Sequence, residues 1–318
     1  MNTKQAKGHE RHEPLIAVLG PTAVGKTALS LHLAEAFDGE VVSADSRQVY
    51  RGMDIGTAKA TPEERRRVPH HLLDLVDPDR PLTLAEYQKL AYAAIEDILH
   101  RGRLPLLVGG SGLYVRAVLE GWTIPGVEPN PALRAALERE AEERGEAALH
   151  RWLSALDPQA AARIDPRNTR RVIRALEVCL TAGRPISELQ VKRPPPYRIL
   201  RIGLTMPRKL LYRRIDERVE RMIARGLVEE VRGLVAKGYG FDLPAMSGLG
   251  YRQIGLYLRG EVTLEEAVAL IKRETRRFVR QQYIWFRLDD PAIRWFDASL
   301  PDCAERVEDA VKGFLPAV

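Results

Sequence analysis

Residues 20–27 read Gly-Pro-Thr-Ala-Val-Gly-Lys-Thr and fit the phosphate-loop pattern GxxxxGK[ST]. Glycines at the first and sixth positions allow the backbone to curl, so that successive N–H groups face one anion. Lys26 adds a positive charge, and the hydroxyl of Thr27 is placed to bind a magnesium ion. This phosphate loop predicts a polyphosphate site formed by Gly20, Pro21, Thr22, Ala23, Val24, Gly25, Lys26 and Thr27.

One carboxylate follows a neighbouring predicted strand. Asp45 comes two residues after the predicted strand at 40–43. A carboxylate there can bind a metal, orient a nucleophile or accept its proton. The alternative is structural, because Asp45 or Ser46 can cap a turn by bonding to nearby amides. No acidic residue follows the other buried segment, 104–108, where a second magnesium ligand is usually sought.

The order of the predicted elements indicates an α/β fold. Short apolar runs at 15–19, 40–43, 104–108 and 199–204 are typical of buried strands, and helical patterns separate them. This alternation predicts a P-loop NTPase-like parallel sheet wrapped by helices. Ligands of such sheets bind at the carboxyl ends of the strands. We therefore expect the phosphate loop, Asp45 and the glycine turn at 109–112 to converge on one cleft.

The chain divides into segments of different character. Residues 1–13 are polar and predict a flexible tail, and residues 14–118 form the first part of the core. Residues 119–197 are almost wholly helical in pattern, with helices predicted from Pro131 to Arg144 and from Thr169 to Leu180. We interpret this segment as an all-helical insertion domain. Residues 198–318 then complete the core.

Positive charge is concentrated in one part of the chain. The net charge is +6, yet residues 198–287 contain 19 Lys and Arg against 10 Asp and Glu. On the predicted helix from residue 264, basic residues recur at three-to-four spacing, opposite an apolar seam of Leu264, Val268, Ile271, Phe278 and Trp285. Solvated helix faces with paired charges explain part of this excess. The remainder indicates a phosphate backbone as partner, formed by Lys272, Arg273, Arg276, Arg277, Arg280 and Arg287.

Other features of the composition exclude several classes. Cys179 and Cys303 are far apart and lack a metal-ligand pattern, so we expect neither a zinc site nor a disulfide framework. The first 13 residues lack the apolar core of a secretory signal. No apolar run is long enough to span a membrane. We expect a cytoplasmic monomer without a membrane partner.

Before any resemblance is considered, two functions are open. A small-molecule kinase is the default for a phosphate loop, but it explains neither the basic helix nor the helical insertion. A non-catalytic RNA-binding ATPase is the other.

Several ordered motifs resemble one family closely. They cover the chain from about residue 15 to 288, and together they are similar to the signatures of the tRNA dimethylallyltransferases. The chain lacks the Cys/His zinc extension of eukaryotic members and resembles the bacterial type. The matching segments are residues 20–27, 42–50, 52–59, 109–114, 170–178, 211–219, 250–253 and 280–287.

The resemblance implies transfer of a dimethylallyl group from dimethylallyl pyrophosphate to N6 of the adenosine on the 3′ side of the anticodon. It implies that the phosphate loop and Arg218 bind the donor, that Thr27 binds Mg²⁺ and that Asp45 accepts the N6 proton. The tRNA anticodon stem-loop is the implied partner, clasped by the helical insertion among other parts. The implied tRNA-binding residues are Asp45, Ser46, Arg47, Gln48, Ser111, Arg134, Arg170, Arg171, Arg174, Gly250, Tyr251, Arg252, Arg280, Gln281 and Arg287.

Overall fold

The structure, a computed structural model, describes residues 13–316. Its contacts divide the chain into two compact units. The core unit contains the chain up to Leu119 and from Pro196 onward, and the insertion unit is Glu120–Pro195. The tail expected at residues 1–13 lies outside the described residues, except for Glu13, which is the first residue of a strand.

A six-stranded parallel sheet forms the centre of the core unit. The strands are β1 (Glu13–Leu19), β2 (Gly39–Ser43), β3 (His70–His71), β4 (Leu104–Gly109), β5 (Tyr197–Thr205) and β6 (Arg294–Asp297). Their order in the sheet is β3-β2-β4-β1-β5-β6, and the predicted parallel sheet is confirmed.

The central strand β1 pairs on both sides, with Ile16 opposite Leu106 and Leu200. Its residues Leu15 and Val18 have no exposed surface, as expected for a strand covered on both faces.

Fourteen helices are present in the described part of the chain, and α5 to α9 belong to the insertion unit. They are α1 (Lys26–Ala36), α2 (Pro62–Arg67), α3 (Leu84–His100), α4 (Gly112–Leu119), α5 (Pro131–Arg144), α6 (Glu146–Leu156), α7 (Pro158–Ala161), α8 (Thr169–Ala182), α9 (Ile186–Leu189), α10 (Arg208–Ala224), α11 (Leu227–Ala236), α12 (Tyr251–Leu258), α13 (Leu264–Trp285) and α14 (Cys303–Phe314).

Local capping residues begin several of these helices. At α3, the Thr83 hydroxyl accepts the N–H of Glu86 at 3.2 Å, and the Glu86 carboxylate accepts the N–H of Thr83 at 2.8 Å. This reciprocal pair satisfies two backbone donors that the helix leaves unpaired. Before α5, the side-chain oxygen of Asn130 accepts the N–H of Leu133 at 3.0 Å. The predicted starts of both helices are confirmed.

The buried side of α13 differs from the predicted apolar seam. Ile271 is buried as predicted, but Phe278 and Trp285 are only half-buried. The side chains buried with Ile271 include Thr275 and Gln282, which are polar. The Thr275 hydroxyl donates a hydrogen bond to the Ile271 carbonyl at 2.7 Å. Leu264, Val268 and Trp285 also pack on the core, so the predicted seam is confirmed at these positions. The prediction missed the polar residues, because an apolar pattern does not reveal polar side chains that find partners inside.

The insertion unit has its own hydrophobic core. Leu153 of α6 and Val172 and Leu176 of α8 have no exposed surface. The first and last segments of this unit lie side by side, because the Thr123 N–H donates to the Val191 carbonyl at 2.8 Å. Across residues 13–316, no helix has the length and apolar character needed to cross a bilayer.

Candidate active site

The phosphate loop joins β1 to α1 through a compressed turn. Gly20 has a φ of +138°, and a Cβ there would lie 2.5 Å from the carbonyl oxygen of Leu204. Gly25 precedes α1 at a φ of +113°. The Lys26 ammonium donates back to the carbonyls of Gly20 at 2.9 Å and Pro21 at 2.8 Å. Glycine is required at the first position because the loop packs directly on the backbone of β5.

A cavity of about 850 Å³ adjoins the loop. Its walls include residues 45–48, residues 109–111 and one side of α10. Thr22, Ala23, Gly25, Lys26 and Thr27 of the phosphate loop line it, whereas Gly20, Pro21 and Val24 are buried and do not. The expected convergence of the phosphate loop, Asp45 and the glycine turn is confirmed.

Asp45 has both a capping bond and access to the cavity. Its Oδ1 accepts the N–H of Arg47 at 2.8 Å, which closes a turn. The carboxylate also lines the cavity. The next residue, Ser46, donates its N–H to the Ser111 hydroxyl at 3.0 Å, which ties this turn to the segment after β4. The structural and chemical roles considered for Asp45 are therefore compatible, because one carboxylate oxygen serves the turn.

Arg47 and Gln48 line the cavity, but their side chains form hydrogen bonds to other residues of the chain. Arg47 donates to the Pro244 carbonyl at 2.6 Å. Gln48 donates to the carbonyl of Thr57 at 3.3 Å and accepts the hydroxyl of Ser43 at 2.9 Å. These contacts hold the loops around the cavity together. RNA contact by these two residues stays a prediction, and it would have to use atoms outside these bonds.

The cavity is electrostatically positive. The pKa of Lys26 is lowered to about 7, chiefly because burial disfavours the charged amine and also because Arg218 repels it, while Asp45 opposes the shift. Burial likewise lowers the pKa of Arg218. Within residues 13–316 neither side chain forms an ion pair with a carboxylate. An anion bound in the cavity would relieve both penalties.

Further arginines line the cavity beside Arg218. They are Arg214 and Arg221 of α10 and Arg225, which directly follows the helix, and their spacing places them on the same side as Arg218. Arg214 also lies 3.4 Å from the Val24 carbonyl of the phosphate loop. Sequence reasoning missed these three, although their spacing of four, three and four residues is a signal that could have found them.

Glu230 of α11 holds a second loop at the cavity. Its carboxylate accepts the N–H groups of Asp54 at 3.0 Å, Ile55 at 2.7 Å and Gly56 at 3.2 Å. It also accepts the hydroxyl of Tyr251 at 2.6 Å. Burial, together with this carboxylate, raises the pKa of Tyr251. Tyr251 is thus buried with its polar atom engaged, and no sequence signal pointed to Glu230.

The basic residues of α13 divide into two groups. Lys272 donates to Glu220 at 2.7 Å, and Arg276 forms an ion pair with Asp216. Both acidic partners belong to α10, so these two cations join α13 to α10. The expectation that they belong to a free basic stripe was wrong, because each is neutralised by a carboxylate of the neighbouring helix.

The remaining group faces solvent. Arg277, Arg280 and Gln281 are exposed on α13. Arg287 is also exposed and pairs with Asp289 two residues later, at 2.8 Å. We call Arg273, Arg277 and Arg280 the outer arginines of α13. These side chains are available to a phosphate backbone, and their contact with RNA stays a prediction.

Gly250 and Arg252 occupy the start of α12. Gly250 is buried at a φ of +90° and precedes the helix, with its N–H donated to Gln253 at 2.9 Å. Arg252 is exposed, with Glu274 of α13 at 4.0 Å. Gly250 and Tyr251 line the cavity, and Arg252 does not.

The insertion unit carries four arginines that the sequence assigned to RNA. Arg134 bonds to Glu177 through two nitrogens at 2.9 and 2.8 Å, and Arg174 reaches the same carboxylate at 2.5 Å. Glu177 has no exposed surface. Arg170 and Arg171 are exposed at the start of α8. Arg134 and Arg174 therefore share a structural partner, whereas Arg170 and Arg171 face solvent.

The residues present fit a magnesium ion that also binds a phosphate. Thr27 lines the cavity, so its hydroxyl would be the protein ligand of an ion held there. The described residues contain no cluster of three His, Cys, Asp or Glu side chains that could hold a metal alone. A site with few protein oxygens suits Mg²⁺, which keeps water and substrate phosphate as ligands.

The fold and the cavity define a class. A phosphate loop after a central strand of a parallel sheet, with arginines and the carboxylate of Asp45 in the same cavity, belongs to a P-loop protein that acts on a phosphorylated compound. Sequence comparison identifies the family. The model described as IPP transferase matches residues 48–289, and the model described as isopentenyl transferase matches residues 14–81. The chain belongs to the tRNA dimethylallyltransferase family.

Two relatives agree with this assignment in sequence. The tRNA dimethylallyltransferase of Roseiflexus castenholzii is 60% identical over 94% of this chain and 97% of its own. That of Thermomicrobium roseum is 55% identical over 96% of this chain and 92% of its own.

Two solved structures are similar throughout. A tRNA isopentenylpyrophosphate transferase from Bacillus halodurans is 44% identical, with a TM-score of 0.71 over 95% of this chain and 96% of that one. A eukaryotic dimethylallyltransferase captured acting on tRNA is 27% identical, with a TM-score of 0.80 over 95% of this chain and 79% of that one. The small-molecule kinase is not favoured by these relationships.

Proposed function

We propose that this protein transfers the dimethylallyl group of dimethylallyl pyrophosphate to N6 of the adenosine on the 3′ side of a tRNA anticodon. The observation that carries the proposal is the presence of Asp45 and the phosphate loop in one cavity. A donor held by the loop and an amine held by the carboxylate would meet there. The names of the curated relatives support the same reaction.

The positive side of the cavity binds and stabilises the leaving group. As the C–O bond of the donor breaks, its electron pair goes to the pyrophosphate oxygen. Lys26, Arg218 and the N–H groups at the start of α1 are placed to stabilise that charge. Burial lowers the pKa of both cations, and a bound pyrophosphate would offset that penalty. Thr27, together with pyrophosphate oxygens, would hold a magnesium ion, whose chemistry is further neutralisation of the leaving group.

Asp45 acts on the acceptor. Adenine N6 is a weak nucleophile because its lone pair is delocalised into the ring. A carboxylate that accepts the N6 proton as the N–C bond forms makes the attack easier. The cavity-facing side of Asp45 can serve this step while its Oδ1 remains bonded to Arg47.

The tRNA must present the base outside its stack. The adenine of a loop has to be extruded to enter a cavity of this kind. We propose that the outer arginines of α13, with Arg170 and Arg171 of the insertion unit, bind backbone phosphates of the anticodon stem-loop. The cytoplasm, where tRNA functions, is the proposed compartment, and a monomer suffices because the core unit contributes the whole cavity.

A transfer assay tests the proposal. The purified protein is mixed with magnesium and an anticodon stem-loop, and either dimethylallyl pyrophosphate or ATP is added. Mass spectrometry of the RNA should show an added C5H8 unit with the isoprenoid donor and no ATP requirement. Phosphoryl transfer from ATP, with ADP formed in proportion to product, would instead establish the kinase.

A further inference from the structure

Gln282 of α13 is a buried polar residue that the reaction described above does not use. Only 4% of its surface is exposed, whereas its neighbour Gln281 faces solvent. The side-chain oxygen of Gln282 accepts the N–H of Thr22 at 2.9 Å. Its nitrogen donates to the carbonyl of Gly110 at 3.0 Å. A single amide therefore bonds to two separate backbone segments.

These two segments follow neighbouring strands of the sheet. Thr22 lies in the phosphate loop after β1, and Gly110 directly follows β4, which pairs with β1. The bridge needs one acceptor and one donor at the same place, a combination that Gln and Asn provide. The fit is tight, since a Cβ at Gly110 would lie 2.4 Å from the Gln282 nitrogen and 3.5 Å from that of Lys26.

The same bridge continues to the catalytic carboxylate. Ser111, next to Gly110, accepts the N–H of Ser46 through its hydroxyl at 3.0 Å, and Ser46 adjoins Asp45. A Cβ at Gly109 would come within 2.1 Å of the Ala44 carbonyl oxygen, so the two segments are also in close backbone contact. Gln282 thus connects the loop that binds the leaving group to the segment that supports Asp45.

We propose that Gln282 is a positioning residue, which fixes the separation between the phosphate loop and Asp45 so that the donor carbon and the N6 amine meet at bonding distance. This inference rests on the proposed transfer reaction. A displacement of about 1 Å between reacting groups can cost roughly 100-fold in rate. The expected effect of removing the bridge is accordingly on kcat and less on tRNA affinity.

Gln282→Met tests the bridge, because methionine is similar in size and cannot form these hydrogen bonds. We expect kcat to fall by about 10- to 100-fold, with the KM for tRNA within a few-fold of the unmodified protein. Gln159→Met places the same side chain on an exposed glutamine of α7, outside the predicted site, and should leave kcat unchanged. A Gln282→Met protein that is folded and has the original kcat would overturn the inference.

Gln282→Glu separates the two halves of the bridge. The carboxylate can still accept the N–H of Thr22, but it cannot donate to Gly110 until it is protonated. Its kcat relative to the unmodified protein should therefore rise as pH is lowered. A ratio independent of pH and equal to one would contradict the positioning role.

Hydrogen exchange gives a readout that does not depend on turnover. The Thr22 amide should exchange faster in Gln282→Met than in the unmodified protein or in Gln159→Met. Unchanged protection at Thr22 would show that Gln282 does not hold the loop. Absence of transfer by the unmodified protein and by Gln159→Met would instead overturn the proposed function, with the exchange result still standing.

Discussion

The cavity and the insertion unit both contain buried or half-buried cations, but only the insertion unit balances them internally. Burial lowers the pKa of both Lys26 and Arg218, repulsion by Arg218 and by Arg221 respectively adds to it, and Asp45 opposes both shifts. In the insertion unit, Arg134 and Arg174 share the carboxylate of Glu177. Among the described residues, the two cavity cations therefore have no carboxylate at ion-pair distance, whereas the two arginines of the insertion unit do.

This contrast separates a binding site from a structural network. Strongly perturbed pKa values in a cavity are typical of groups that meet a ligand or a reacting atom. A fully partnered carboxylate between two arginines mainly holds its own elements together, here α5 and α8. Arginine content alone does not distinguish the two situations, whereas the partners in the structure do.

The largest effect is expected at Asp45. Asp45→Asn preserves the shape and the bond to the Arg47 N–H but removes the basicity. Loss of a general base costs ~100- to 10,000-fold, and we expect single-turnover transfer at saturating substrates to fall within that range. Affinity for the donor and for tRNA should change far less, because the cations are untouched. A rate within a few-fold of the unmodified protein would make Asp45 a turn cap only.

The pH dependence of donor binding should follow Lys26. Below pH 7 this amine is already charged in the free protein, and affinity is at its maximum. Above pH 7 it is neutral until a bound pyrophosphate raises its pKa, so binding must take up a proton. Affinity should then fall with rising pH, by up to about tenfold for each unit between pH 7 and 9.

Calorimetry with an unreactive analogue of the donor measures this dependence. Lys26→Arg supplies the control, because arginine stays charged throughout the range and should flatten the profile. A profile that is flat in the unmodified protein as well would mean that Lys26 does not meet the pyrophosphate.

The two groups of cations on α13 allow a matched test of RNA binding. Arg277→Gln combined with Arg280→Gln should reduce the salt dependence of tRNA affinity by about two units of slope, one for each phosphate contact. Lys272→Gln combined with Arg276→Gln removes the same charge, but these side chains face Glu220 and Asp216. That variant should lose stability and keep its slope.

Equal slopes for the two double variants would show that only net charge matters. Donor affinity serves as the internal check, since the outer arginines do not line the cavity. A change in donor affinity with Arg277 and Arg280 replaced would assign them a role beyond RNA.

Local signals predicted the elements well, and long-range contacts were harder to predict. The phosphate loop, the capping box at Thr83 and the end of α3 at His100 depend on residues close in sequence. The short strand β3, only His70–His71, was missed because two residues carry no periodic pattern. Gln282 was missed because its partners lie 172 and 260 residues away in the chain.

The site itself was predicted where a motif named its residues. Lys26, Thr27, Asp45 and Arg218 were expected together, and all line one cavity. The sequence could not show which arginines face a carboxylate from another helix. Whether an arginine is paired in this way depends on packing between α13 and α10, or between α5 and α8, which no local pattern encodes.

The smallest expected effect concerns the insertion unit alone. Burial by itself would raise the pKa of Glu177, but bonds from Arg134, from the Asn130 N–H and from Arg174 lower it to about 2. Glu177→Gln removes the charge that both arginines share, and we expect the free energy of unfolding to fall by about 1–3 kcal/mol. Because the folded-state pKa is depressed, this contribution is complete above about pH 4.5 and is lost as pH falls toward 2.

Glu188→Gln is the matched control in the same unit. Glu188 and Arg184 form an exposed pair at 3.2 Å, and such pairs contribute about 0–1 kcal/mol. The free energies of unfolding of the two variants, measured with denaturant, should therefore differ clearly. If they unfold alike, the carboxylate of Glu177 does not stabilise the unit, and the structural role of Arg134 and Arg174 is contradicted. If Glu177→Gln alone is destabilised while tRNA affinity is retained, Arg134 and Arg174 are structural, and RNA contact stays a prediction for Arg170 and Arg171.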